Sequence, residues 1–165
     1  MSVGEEDHLK PAVEAEGRIN MWQIAMRPGK PLAFGATRRN GGRRSGRSRR
    51  GIFIGLPGNP VSSFCTFLLF VRPFLLRLAG VENVTPRVYS MRADFTQKKG
   101  DRQGDRRNEF LRARERGGRA GSVSEPAFRR ADLDRGGDGL IDNPPNHAIS
   151  AGETVRFIPF SELLR

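Results

Sequence analysis

The sequence predicts an α/β fold: a unit built on a mostly parallel sheet, then a small antiparallel β module, with a boundary near residues 80–86. Three observations lead there. The first is Gly51-Ile52-Phe53-Ile54-Gly55-Leu56-Pro57-Gly58-Asn59-Pro60, where an apolar run meets a glycine-proline turn and a helix start. A short run of β-branched and aromatic residues bounded by glycines suits a strand covered on both faces, as in a parallel sheet. The second is the stretch after it, residues 60–79, whose first half is almost wholly apolar and reads as one long buried helix. The third is the two-residue alternation at 86–93, 108–114 and 154–160, the pattern of half-exposed strands.

The chain has 165 residues, enough for one ordinary domain or two small ones. Apolar residues make up 36%, low for a well-filled core. With 29 Lys and Arg against 18 Asp and Glu, the formal charge is +11, so the chain would bind polyanions non-specifically at low salt. A single cysteine, Cys65, excludes an internal disulfide and a cysteine-rich metal site. His8 and His147 offer no metal-ligand spacing. Residues 1–7 lack the cationic and apolar regions of a signal peptide, and the expected location is cytoplasmic. The apolar run in 60–71 is short for a membrane span, with Arg72, Pro73 and Arg77 following at once, so no membrane is expected.

Taken in order, Ser2-Val3-Gly4 has the character of a strand end, and Glu5-Glu6-Asp7 crowds acidic charge before a helix at 9–15 that Gly17 terminates. Leu9 and Val13 share a face, with Ala12 beside them, and Pro11 falls in the first turn, where it is tolerated. Asp7 has two readings, an N-cap or the carboxylate of a metal or phosphate site. Residues 19–26 read as a strand that buries Met21, Trp22, Ile24 and Met26. It ends in the stiff turn Arg27-Pro28-Gly29-Lys30-Pro31, and Leu32-Ala33-Phe34-Gly35 is the next strand. Arg27 and Lys30 either clamp an oxyanion from both sides or form a solvated turn.

Residues 37–50 hold seven arginines, no acid and no apolar residue, so they read as a disordered loop that cannot offset the cost of ordering its backbone. As a nucleic-acid contact the segment offers only backbone electrostatics, because no aromatic residue is interleaved to stack on bases. After Gly55, Asn59 stands where an N-cap belongs and Pro60 where the first helical residue belongs. The free N–H groups that follow make a seat for phosphate, and Gly55 and Gly58 let a ligand approach the backbone. The alternative is a tight, capped turn without a ligand. Pro73 is expected to bend the helix and Gly80 to end it. Residues 98–107 and 116–139 are rich in Arg, Gly and Asp and poor in core residues.

Three stretches together carry a resemblance: Ser2-Val3-Gly4-Glu5-Glu6-Asp7, then Arg27-Pro28-Gly29-Lys30-Pro31-Leu32-Ala33-Phe34-Gly35, then Gly55-Leu56-Pro57-Gly58-Asn59-Pro60-Val61-Ser62. In this order they resemble the molybdopterin molybdenumtransferases, the family of MoeA and the gephyrin E domain. Asp138-Gly139-Leu140-Ile141-Asp142-Asn143, Ala151-Gly152-Glu153 and Val155-Arg156-Phe157 resemble that family's last β domain. The resemblance implies a C-terminal fragment. A truncated three-layer molybdopterin-binding domain with a mostly parallel sheet would occupy residues 1–82, and a small C-terminal β-barrel-like domain 83–165.

It also implies an activity in molybdenum cofactor biosynthesis, the insertion of molybdate into adenylylated molybdopterin with release of AMP, with Mg2+ present. By position, Asp7 matches the carboxylate of the metal and molybdate site. Arg27 and Lys30 match the pair expected on the anionic oxygens of molybdate and phosphate; the three are the implied catalytic residues. Gly55, Pro57, Gly58 and Asn59 match the loop for the pterin phosphate region, with Ser62 a hydroxyl donor beside it and Arg112 a barrel arginine facing the site. Full-length members are expected to be homodimers. The segments 37–50 and 116–135 depart from the family pattern, as translation in a shifted reading frame would produce. The alternative function is a non-catalytic basic protein that binds polyanions or nucleic acid through 37–50.

Overall fold

The computed structural model describes residues 9–29, 31–39, 49–98, 106–122 and 137–165. They fall into two compact units: one runs through Ile24 and resumes over Gly29–Phe67, the other comprises Ala25–Pro28 and Leu68–Arg165. The first elements are α1 (Leu9–Glu16), β1 (Gly17–Gln23), β2 (Met26–Arg27), β3 (Pro31–Arg39) and β4 (Arg49–Gly55). In the first unit β3 lies between β1 and β4, and α1 packs on β1 and β3. Val13 of α1 and Leu32 and Ala33 of β3 are buried, whereas Ala12, expected beside Val13, is exposed.

Both pairings of this sheet are antiparallel, so the mostly parallel sheet is not what the described residues form. An apolar run carries no direction of its own. Ile52 remains 51% exposed, and Phe53 and Ile54 are half-buried, so the strand is not covered on both faces. The strand expected over 19–26 also breaks. Register shifts between Ile19 and Met21 and between Met21 and Gln23 interrupt the ladder, and such irregularities bend a strand. Met26 and Arg27 then pair in a different sheet. A third correction concerns 37–50. The ladder continues through Thr37↔Gly51, Arg38↔Arg50 and Arg39↔Arg49, because backbone pairing propagates along a hairpin without apolar side chains. Residues 40–48 lie outside the described residues.

The expected long helix is present in three pieces: α2 (Pro60–Thr66), a π-helical turn (Phe67–Val71) and α3 (Arg72–Leu78). The wide turn is explained by Pro73, whose ring cannot sit against the carbonyl four residues back, that of Leu69, and which has no N–H to donate. Ala79 caps the helix, and Gly80 follows in the left-handed region at φ 91°. By length and composition Pro60–Leu78 is apolar enough to cross a membrane, a property it shares with core helices. Its buried residues are Val61, Ser62, Cys65, Thr66, Leu68 and Val71.

The second unit is a β-barrel-like sheet. Its strands are β5 (Tyr89–Ala93), β6 (Asn108–Arg116), β7 (Arg119–Ser122), β8 (Gly139–Asn143) and β9 (Thr154–Pro159), followed by the short α4 (Phe160–Leu164). The order is β2-β6-β7-β5-β9-β8, and β8 also pairs with β6, so five strands close on themselves and β2 is appended. Met91, Ala93, Ala113, Ala120, Ile141, Val155 and Phe157 form the core with Ile149. The alanines leave room for Phe157, which is 1% exposed, in keeping with the small-against-large filling of narrow barrels.

The expectation that the barrel pattern lapses from Arg116 is corrected over its first residues. Arg116 pairs with Arg119 across Gly117-Gly118, whose φ values of 55° and 75° are those of a primed hairpin turn. Ala120 on the returning strand is fully buried. The signal was weak because an alanine, not a large apolar residue, fills the core there. Residues 123–136 lie outside the described residues.

At Gly139 a Cβ would sit 2.4 Å from the Ile158 carbonyl oxygen and 2.6 Å from the Phe157 ring. Gly139→Ala should therefore cost about 1–3 kcal/mol, read as a lower urea midpoint, since the backbone cannot yield as a flexible side chain would.

Candidate functional site

The joint between β4 and α2 is pinned by its own side chains. β4 ends at Gly55, paired with Ala33, and the chain turns through Leu56, buried Pro57 and exposed Gly58. Asn59 has extended backbone, φ −75° and ψ 125°, and Pro60 is the first helical residue. The Ser62 N–H donates to Asn59 Oδ1 at 3.1 Å, and the Ser63 N–H donates to the Asn59 carbonyl at 2.8 Å. The Ser63 hydroxyl donates to the Pro57 carbonyl. One side chain thus fixes the helix end and another fixes the turn before it.

This geometry narrows the expected anion seat. The N–H groups after Asn59 are not all free: Pro60 has none, and those of Ser62 and Ser63 are used by Asn59. Val61 keeps an N–H with no acceptor inside the helix. The Asn59 side chain caps through its oxygen, which leaves its amide nitrogen as a donor on an exposed residue. Ser62 is buried, and the contact shown for it is made by its N–H. Ser63 was missed in the sequence. Its signal was the Ser62-Ser63 pair in the first turn, where hydroxyls reach backbone groups readily.

Arg27 and Arg112 belong to the second unit. β2 runs parallel to β6 with Met26 opposite Asn108 and Arg27 opposite Glu109, and the Asn108 N–H donates to the Ala25 carbonyl at 3.1 Å. Met26, 2% exposed, anchors the pair. Arg27 Nη1 lies 3.9 Å from Glu109 Oε1, with the side chains 49% and 26% exposed. So long and wet an ion pair contributes about 0–1 kcal/mol, and most of the guanidinium donors stay available. Arg112, half-buried, is opposite Leu140 on the same strand. It is three residues from Glu109, so the two positions belong to opposite faces of β6. Arg27 and Arg112 therefore share a strand neighbour but not a face. Glu109 was illegible as the partner of Arg27, because only the closed barrel brings these distant segments together.

Asp7 and Lys30 lie outside the described residues. Among the described residues no three His, Cys, Asp or Glu side chains come together to hold a metal ion. Cys65 is buried and forms no disulfide.

Residues 1–77 match a protein family described as a probable molybdopterin binding domain. The chain is 34% identical over 172 residues to the molybdopterin molybdenumtransferase of Haemophilus influenzae, an alignment covering 99% of this chain and 39% of that protein. It is 38% identical over 81 residues to the molybdenum cofactor synthesis protein cinnamon of Drosophila melanogaster, covering 48% of this chain and 12% of that one. Among solved structures it is similar to the molybdopterin biosynthesis MoeA protein of Pyrococcus horikosii, with a TM-score of 0.69 and 25% identity. That likeness covers 92% of this chain and 34% of the archaeal one. The chain thus spans well under half the length of these relatives.

The cap at Asn59 can be tested by itself. Asn59→Ala should lower stability by about 1 kcal/mol in denaturant unfolding, whereas Asn59→Asp, which keeps the acceptor and adds a charge favourable at a helix start, should not.

Proposed function

We infer that the chain belongs to the molybdopterin molybdenumtransferase family, and we propose that it acts in molybdenum cofactor biosynthesis, inserting molybdate into adenylylated molybdopterin with release of AMP. The observation that carries the reading is the alignment to the Haemophilus enzyme, which runs over 99% of this chain. On this reading residues 1–82 are part of the molybdopterin-binding domain and 83–165 are the terminal β domain. The substrates are molybdate and adenylylated molybdopterin, the parent assembly is a homodimer, and the location is cytoplasmic.

The chain's own residues are given these tasks. The turn at Gly55, Pro57, Gly58 and Asn59 receives the phosphate region of the pterin. Pro57 is held from behind by the Ser63 hydroxyl, which keeps the backbone at Gly58 open and fixed. The Asn59 amide nitrogen and the Val61 N–H donate to phosphate oxygens, with Ser62 beside them. Arg27 and Lys30 take the anionic oxygens of molybdate and phosphate. Arginine can do so through two parallel N–H groups and lysine only as a point charge. Asp7 is the carboxylate assigned to Mg2+, whose hard charge would offset the phosphoanhydride oxygens when it is bound.

The discriminating substitution is Asn59→Asp. It keeps the helix cap but replaces the donated amide hydrogens by a negative charge, so binding and folding are separated. The affinity for adenylylated molybdopterin, measured by fluorescence or calorimetry, should fall at least tenfold while the unfolding midpoint holds. Lys30→Ala and Asp7→Asn should weaken the same binding. Unchanged affinity in Asn59→Asp would remove the turn from the site.

A further inference from the structure

The connection from β8 to β9 folds back on itself around one imidazole. The His147 N–H donates to the Pro144 carbonyl at 3.3 Å, and Asn146 takes φ 60°, so the turn returns the ring to the end of β8. There Asn143, 2% exposed, uses its whole amide on His147. Its nitrogen donates to the His147 carbonyl at 3.1 Å, and its oxygen lies 3.0 Å from His147 Nδ1. On the other side of the ring, His147 Nε2 lies 3.1 Å from Glu153 Oε1. The second oxygen of Glu153 accepts from the Ser150 N–H at 2.9 Å. Both ring nitrogens thus face oxygen acceptors. A neutral imidazole carries one N–H and can meet only one of them. Reversing the Asn143 amide does not help, because its oxygen would then face the His147 carbonyl. The imidazolium, with two N–H groups, satisfies both.

The loop that the ring holds is stitched to β5 and the segment after it. The Gly152 N–H donates to the Ala93 carbonyl at 2.7 Å, the Ala93 N–H to the Glu153 carbonyl at 2.9 Å, and Gln97 and Ile149 bridge each other. Of the charged groups around it, Glu153 touches the ring, and Arg92 donates to the Gly152 carbonyl at 2.8 Å. Glu109 stands opposite Asn143 in the ladder, Asp94 follows Ala93 and Lys98 follows Gln97. The His147 side chain is 44% exposed, so its protons exchange with solvent. We propose that the β8–β9 connection is a proton-operated clasp: Asn143 and Glu153 hold it shut while His147 carries both ring protons, and it loosens when the ring gives one up to water. Histidine is the side chain whose ordinary charge change falls between about pH 5 and 8. Because the folded loop favours the charged ring, the stabilisation is present at the acid end of that range and lost as pH rises. The clasp is independent of the pterin reading, since it is measured without molybdopterin.

The test follows amide hydrogen exchange in the full chain near the two ends of that range, about pH 5.5 and about pH 8, each amide corrected for its intrinsic rate. Ile141 and Phe157 of the barrel core serve as internal standards. Protection at the Ser150, Gly152 and Glu153 amides should fall by about threefold or more from the lower pH to the higher, while the core amides hold. His147→Gln removes the titrating ring, so its loop should show the same protection at both. Glu153→Gln is the discriminating variant. Its amide nitrogen can donate to a neutral Nε2 while its oxygen keeps the Ser150 N–H, so the conflict disappears and the loop should stay protected at both pH values. A role in packing alone would not produce that rescue. The proposal is overturned if loop protection in the unaltered chain is equal at the two pH values, or if it still falls at the higher pH in either variant.

Discussion

The pairing of β8 with β6 is the constraint on which the second unit depends. Glu109↔Asn143 through Ala113↔Gly139 join two strands that are already held, through β7, β5 and β9, in the same sheet. Closure removes the free edges that an open sheet of this size would expose. It also sets the residue sizes inside. Ala93, Ala113 and Ala120 stand where the wall must come close, and Gly139 where not even a methyl group fits against Ile158 and Phe157. Closure also fixes the strand to which β2 attaches, since β2 pairs with β6 and ends in Arg27.

In the first unit the corresponding constraint is local. Asn59 satisfies the Ser62 N–H, and Ser63 holds the Pro57 carbonyl. The turn between strand and helix is therefore fixed by residues within one helical turn of it and does not need a distant partner. That independence makes it a suitable place to receive a ligand. A donor that is already oriented loses little freedom when an anion arrives. The same economy limits the seat, since the cap occupies N–H groups that an uncapped helix would offer.

These two constraints explain what was legible in the sequence. Asn59 as cap, Pro60 as first helical residue and Gly80 as the end of the helix follow from chemistry within a few residues, and all are found. The direction of the sheet was not legible, because Ile52-Phe53-Ile54 suits a parallel or an antiparallel partner equally. The extension of β3 and β4 into the arginine-rich segment was hidden because its stability comes from the ladder and not from side-chain burial. The hairpin at Gly117-Gly118 was hidden by composition, and Met26 leaving for another sheet by sequence distance. Of the candidate site, the turn and its cap could be read in advance. The exclusion of Arg27 and Arg112 from a common face could not, since it depends on barrel register.

We propose that the turn from Gly55 to Asn59 is where this chain meets the phosphate end of a pterin. Its most direct test is to titrate adenylylated molybdopterin into the isotope-labelled chain and follow the backbone amide resonances. Gly58, Asn59 and Val61 should shift together and saturate, while Ile141 and Phe157 in the barrel core should not move. Saturable binding that leaves Gly58, Asn59 and Val61 in place would contradict it.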